Sequence, residues 1–73
     1  MENTRLSQRL GHRIKKLRQI HTDLSQYAFA EKCGFTRPYI NRVEKGLANP
    51  SLHVLETIAT ALNVPIEDLF KDL

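Results

Sequence analysis

Ser25-Gln26-Tyr27-Ala28-Phe29-Ala30-Glu31-Lys32-Cys33-Gly34-Phe35-Thr36-Arg37-Pro38-Tyr39-Ile40-Asn41-Arg42-Val43-Glu44-Lys45 is the stretch whose reading decides the fold. It reads as two short helices joined by a tight turn. Ser25 is a good N-cap, because its hydroxyl can accept from a first-turn N–H that has no helical partner. Gly34 ends the first helix after Cys33, since glycine enters the left-handed region without a Cβ clash. Thr36 caps the second helix. Arg37 and Pro38 follow in its first turn, where the missing proline N–H costs little. Lys45-Gly46 closes it. Phe29, Ala30 and Cys33 share the inner face of the first helix; Ile40 and Val43 point inward from the second. Ala30 is small enough to let the two helices approach, and Phe35, Ile40 and Val43 lock them together. The result is a helix-turn-helix at about residues 25–45, an arrangement whose second helix enters the DNA major groove.

The flanks complete a helical domain. Upstream, Leu6, Leu10, Ile14 and Leu17 form one apolar stripe, which predicts a helix from between Thr4 and Leu10 to about Ile20. Gly11 weakens its early part. Downstream, Ala48-Asn49-Pro50 reads as a loop and Ser51 as the cap of a fourth helix. Leu52, Leu55, Ile58, Ala59 and Leu62 recur there with a period of about 3.6. Asn63-Val64 ends it, and Pro65 opens a short fifth helix from Ile66 to about Phe70. Strand signals, repeats and low-complexity segments are missing from the sequence. The pattern predicts an all-α, compact five-helix fold, with residues 1–73 as a single domain.

Composition narrows the function. A chain of 73 residues buries only a modest core, and oligomerisation is a usual remedy. The single cysteine excludes an internal disulfide and fits a reducing, cytoplasmic setting. No apolar run is long enough for a membrane span, and Met1–Leu10 lacks the apolar core of a secretory signal. Residues 1–45 carry ten basic and four acidic side chains, whereas residues 46–73 carry one basic and four acidic. A basic half suits a polyanion; a solvated charged helix face is the plainer reading. His12, His21, His53 and Cys33 form no metal-ligand spacing. Cys33 reads as a small core residue, with a redox sensor as the sharper alternative. Phosphate-loop glycines are absent, with only Gly11, Gly34 and Gly46 present. No nucleophile–base pair stands out by spacing. The expectation is a protein that is not an enzyme, with no cofactor and no small-molecule ligand.

With these residues in place the chain resembles the Cro/C1-type helix-turn-helix proteins, which include phage repressors and restriction–modification controllers. The resemblance runs from about Leu10 to Phe70. It is carried by Leu10-Gly11, Arg13-Ile14, Leu17-Arg18, Leu24-Ser25-Gln26, and Phe29 through Tyr39. It continues through Ile40 to Gly46, Asn49-Pro50-Ser51-Leu52, Leu55, Ile58-Ala59, Ala61-Leu62 and Val64. It implies a lambda-repressor-like fold and a set of roles. Arg37, Pro38, Asn41 and Arg42 take the base-reading positions. Arg suits guanine and Asn suits adenine, while Pro38 could touch only a thymine methyl or shape the helix start. Ser25, Gln26, Thr36, Tyr39, Lys45 and Asn49 take phosphate-facing positions, with Gln26 also bracing the recognition helix. Capping alone is the plainer role for Ser25 and Thr36, and phosphate contact the rival role for Arg37 and Arg42. Arg18 and Glu44 match an ion pair that joins the first helix to the end of the recognition helix. Three departures stand out. Gln19-Ile20-His21-Thr22-Asp23 is one residue longer than the common form, Leu47 and Ala48 replace residues that are often basic, and Tyr27 stands where a polar residue is usual.

One recognition helix reads few base pairs, so proteins of this type commonly dimerise on half-sites about one DNA turn (~34 Å) apart. Residues 64–73 hold the candidate dimer surface, with Ile66, Phe70 and Leu73 as interface and Leu69 as core. The plainer reading is that all of them close the monomer core. The resemblance implies a transcription regulator that binds double-stranded DNA. A protein-bridging module and a nonspecific nucleoid protein are the alternatives.

Overall fold

The computed structural model describes the backbone of residues 2–73 and the side chains of residues 6–73. Its elements are α1 (Glu2–His21), α2 (Gln26–Cys33), α3 (Arg37–Glu44), α4 (Leu52–Leu62) and a closing 3-10 helix (Ile66–Phe70). No strand occurs among the described residues. α1 packs on α3; α2 packs on both α3 and α4; the 3-10 helix closes against α1 and α4.

Short helices are marginal alone, so their ends need partners. Ser25, Thr36 and Ser51 each accept, through the side-chain hydroxyl, from the N–H three residues on, at 3.1, 3.2 and 3.2 Å. The C-termini share one solution. At α2, Gly34 takes φ 81°; its N–H donates to Glu31 O at 3.0 Å and that of Phe35 to Ala30 O at 2.9 Å. That is a Schellman motif. Gly46 and Leu47 repeat it after α3, and Asn63 and Val64 after α4, where Asn63 reaches φ 62°. Asparagine tolerates this region better than most residues.

The core gathers Leu10, Ile14 and Leu17 of α1, Phe29 and Ala30 of α2, and Ile40 and Val43 of α3. Leu55, Ile58, Ala59, Ala61 and Leu62 of α4 join them, with Leu69 from the 3-10 helix. Two stripe residues fall outside. Leu6 is 44% exposed and Leu52 is 72% exposed. Both have the right periodicity, but neither belongs to the buried core. Cys33, expected in the core, is only half-buried at its edge.

α1 begins earlier than the sequence implies, and Gly11 does not interrupt it. A Cβ at Gly11 would stand 2.3 Å from Val43 O and 2.7 Å from Glu44 O. The missing side chain therefore lets α1 cross directly over the C-terminal end of α3. That contact offsets the roughly 1 kcal/mol that glycine costs in a helix.

Polar ties fix the rest. Lys32 Nζ donates to Ala61 O at 2.9 Å, satisfying a last-turn carbonyl of α4. Arg13 Nε donates to Asp68 O at 2.9 Å, holding the 3-10 helix on α1. In the extended α1–α2 connection, Thr22 Oγ1 donates to Arg18 O and accepts from Leu24 N–H. Near the C-terminus, Leu69 is fully buried, Ile66 and Leu73 are half-buried against the core, and Phe70 is 42% exposed.

Candidate nucleic-acid interface

The pose of α3 is set from beneath. Arg18 Nε donates to Glu44 Oε2 at 2.8 Å and Nη2 to Glu44 Oε1 at 3.2 Å. The side chains are 10% and 2% exposed, so the two are not independent surface charges. The remaining guanidinium nitrogen, Nη1, donates to Leu24 O at 3.0 Å, just before α2. One arginine thereby ties α1, the α1–α2 loop and α3 into one body. Its fork geometry suits a carboxylate better than a lysine would. Among the described residues, no buried side-chain nitrogen or oxygen lacks a partner.

The same carboxylate reaches α2. Gln26 Nε2 donates to Glu44 Oε1 at 2.9 Å, and Asn41 Nδ2 donates to Gln26 Oε1 at 3.2 Å. Gln26 thus braces α3, the bracing part of the role expected of it. Asn41 is half-buried on the α2 side of α3 and tied to Gln26, neither free nor simply solvated. Sequence reading did not anticipate this link, because it joins residues fifteen positions apart.

Above this base lies the outer face of α3. Arg37, Pro38, Arg42 and Lys45 are exposed along it, with Thr36 exposed at its cap. Ser25 is exposed at the start of α2, and Asn49 in the α3–α4 loop. Arg42 Nη2 donates to Leu47 O at 3.3 Å, which leans the guanidinium toward that loop. Tyr39 is half-buried; its ring meets Phe35 edge-on at 5.5 Å and 76°. Of the sites named from sequence, Ser25, Thr36, Arg37, Pro38, Arg42, Lys45 and Asn49 are exposed, whereas Gln26, Tyr39 and Asn41 are half-buried and partly engaged within the protein.

Charge is distributed less simply than the sequence halves imply. Arg9, His12, Arg13 and Lys16 line a groove with Lys71 and Asp72. Arg9 and Lys16 lie roughly opposite Gly11 around α1. Part of the basic half thus points away from α3. Tyr27 is 58% exposed, and its hydroxyl donates to Glu31 Oε2 at 3.0 Å; that bond, with the carboxylate charge, raises its pKa. Burial pushes the Cys33 thiol up to about 11, only partly countered by Lys32. A thiol held protonated is a poor nucleophile, which disfavours the redox-sensor reading. No cluster of metal-ligating side chains occurs among the described residues.

Comparison with known proteins decides the lineage. The family profile for the helix-turn-helix matches residues 14–69. The chain belongs to this helix-turn-helix family. It is 42% identical over 65 residues to the control protein C.MunI of a Mycoplasma species, covering 89% of this chain and 88% of that one. It is 36% identical over 59 residues to the control protein C.BamHI of Bacillus amyloliquefaciens, covering 81% and 73%. The crystal structure of the restriction–modification controller protein C.AhdI from Aeromonas hydrophila superposes with a TM-score of 0.89 at 33% identity, covering 96% of this chain and all of that one. An immunity repressor of Bacillus phage phi105 is 39% identical over 57 residues, covering 78% of this chain but 39% of the repressor. This helix-turn-helix chain is a DNA-binding transcription regulator, and no helix among its described residues is long and apolar enough to cross a membrane.

Proposed function

We propose that the chain acts as a homodimer on a pseudo-palindromic operator, and that it is of the restriction–modification controller type. The observation that carries this reading is the exposed face of α3, held in one pose by the buried Arg18–Glu44 pair. Arg37 and Arg42 read bases from it, with Asn41 beside them; Pro38 shapes the helix start. Ser25, Gln26, Thr36, Tyr39, Lys45 and Asn49 meet phosphates, at helix N-termini where the dipole favours an anion and in the flanking loops. Ile66, Phe70 and Leu73 join the two protomers. Phe70, an exposed aromatic among half-buried apolar neighbours, is the best anchor for that contact. The controller type is favoured by matches along most of both chains, where the phage repressor matches over less than half its length. The proposed activity is occupancy of DNA in the cytoplasm, with no catalytic step and no small-molecule effector.

Selection of binding sites from a random DNA pool tests this directly. A pseudo-palindrome with half-site centres about one helical turn apart is expected. Sedimentation at micromolar concentration is expected to give a dimer, and Phe70→Ser to weaken it. Enrichment of no common sequence, or a strict monomer both free and on DNA, would refute the reading.

A further inference from the structure

The chain of side chains from Glu44 to Asn41 has a direction. An ionised carboxylate only accepts hydrogen bonds. Glu44 Oε1 already takes one from Arg18, and it takes a second from Gln26 Nε2 at 2.9 Å. The nitrogen end of the Gln26 amide is thereby turned inward, which leaves its oxygen facing α3. Only a donor can satisfy that oxygen, and Asn41 Nδ2 does so at 3.2 Å. The Asn41 amide is therefore oriented too. One of its N–H groups is committed, while the other and Oδ1 remain for a ligand. We infer that Asn41 reads adenine through an amide whose orientation is fixed, by way of Gln26, by the Glu44 carboxylate.

The chemistry selects the base. In the major groove adenine offers the N6 donor beside the N7 acceptor, which complements one amide oxygen and one N–H. Guanine offers two acceptors, O6 and N7, so an outward Oδ1 meets O6 unfavourably. Gln26 also keeps its second Nε2–H, which can serve a phosphate without releasing Glu44. Gln26 is a positioning residue in this scheme and Glu44 sets the polarity of both amides. The inference rests on the reading of α3 as the DNA-facing helix.

The test compares base preference, position by position, for wild type, Asn41→Ala, Gln26→Leu and Glu44→Gln, each checked for helicity and melting. Asn41→Ala is expected to lose about 5- to 150-fold of discrimination for adenine at a single position of each half-site. Gln26→Leu is expected to erode preference at that same position, over and above any uniform loss of affinity. Glu44→Gln, which can donate as well as accept, is expected to relax the choice between adenine and guanine there. If Glu44→Gln fails to fold, Gln26→Leu carries the test alone. A folded Gln26→Leu that binds all sites more weakly but keeps the adenine preference would overturn the inference. So would an unchanged profile for Asn41→Ala. Both outcomes leave the DNA-reading role of α3 standing, whereas a wild type that enriches no sequence would remove that role itself.

Discussion

On its inner side α3 carries Ile40, Val43 and Glu44, all buried, and its last carbonyls lie under Gly11 of α1. On its outer side Arg37, Pro38 and Arg42 are exposed, and the contact described for these is the long bond from Arg42 to Leu47 O. Both sides belong to one eight-residue helix. The difference divides the helix between two tasks. The inner side defines a pose to within the tolerance of packed atoms, and the outer side keeps its hydrogen-bonding capacity for a partner. Substitutions on the inner side should therefore register first as lost stability, and those on the outer side as lost affinity or specificity.

The largest effect is expected at Glu44. Glu44→Ala leaves the Arg18 charge buried without its partner and should cost about 3–5 kcal/mol of stability, measured by urea denaturation. An Arg18→Met, Glu44→Leu double variant sharpens the contrast. It should regain much of that stability and still lose sequence preference, because the polar brace on Gln26 is gone. Gly11→Ala comes next. The methyl would collide with backbone oxygens that cannot rotate away, and the expected loss is about 1–3 kcal/mol even after the gain in helix propensity.

Gly34→Ala is expected to cost less, about 1 kcal/mol. Nothing lies within 4 Å of its Cβ position, so the penalty comes from φ 81° alone. Part of it is returned by the stiffer unfolded chain. The smallest change in stability belongs to the outer side: Arg37→Ala should stay within about 0.5 kcal/mol of wild type in the same denaturation experiment. A large destabilisation by Arg37→Ala would break the division between the two sides.

Gly34 and Gly11 also mark what could be read from the sequence. Gly34 sits between two capped helices, and its role is local: a left-handed residue after Cys33, visible from its neighbours alone. The caps at Ser25, Thr36 and Ser51 were legible for the same reason. Gly11 looked like a flaw in α1, because its purpose depends on atoms of α3 more than thirty residues away. The Gln26–Asn41 bond and the tie from Lys32 to Ala61 O are equally long-range, and no periodicity encodes them. Leu6 and Leu52 failed in the opposite sense. Periodicity places a residue on a face, but only the neighbouring elements determine whether that part of the face is covered. The candidate reading positions were legible through their resemblance to the helix-turn-helix proteins, while the partial engagement of Asn41 and Tyr39 emerged only from the packing of α2 against α3.

The central claim is that the exposed side of α3 reads bases. The most direct measurement changes each base pair of the selected site in turn and compares its cost for wild type and for Arg37→Ala. The account predicts one position per half-site where the change costs wild type about 1–3 kcal/mol and costs Arg37→Ala almost nothing. If Arg37→Ala shows the wild-type cost at every base pair, Arg37 reads none of them and the assignment of this face is contradicted.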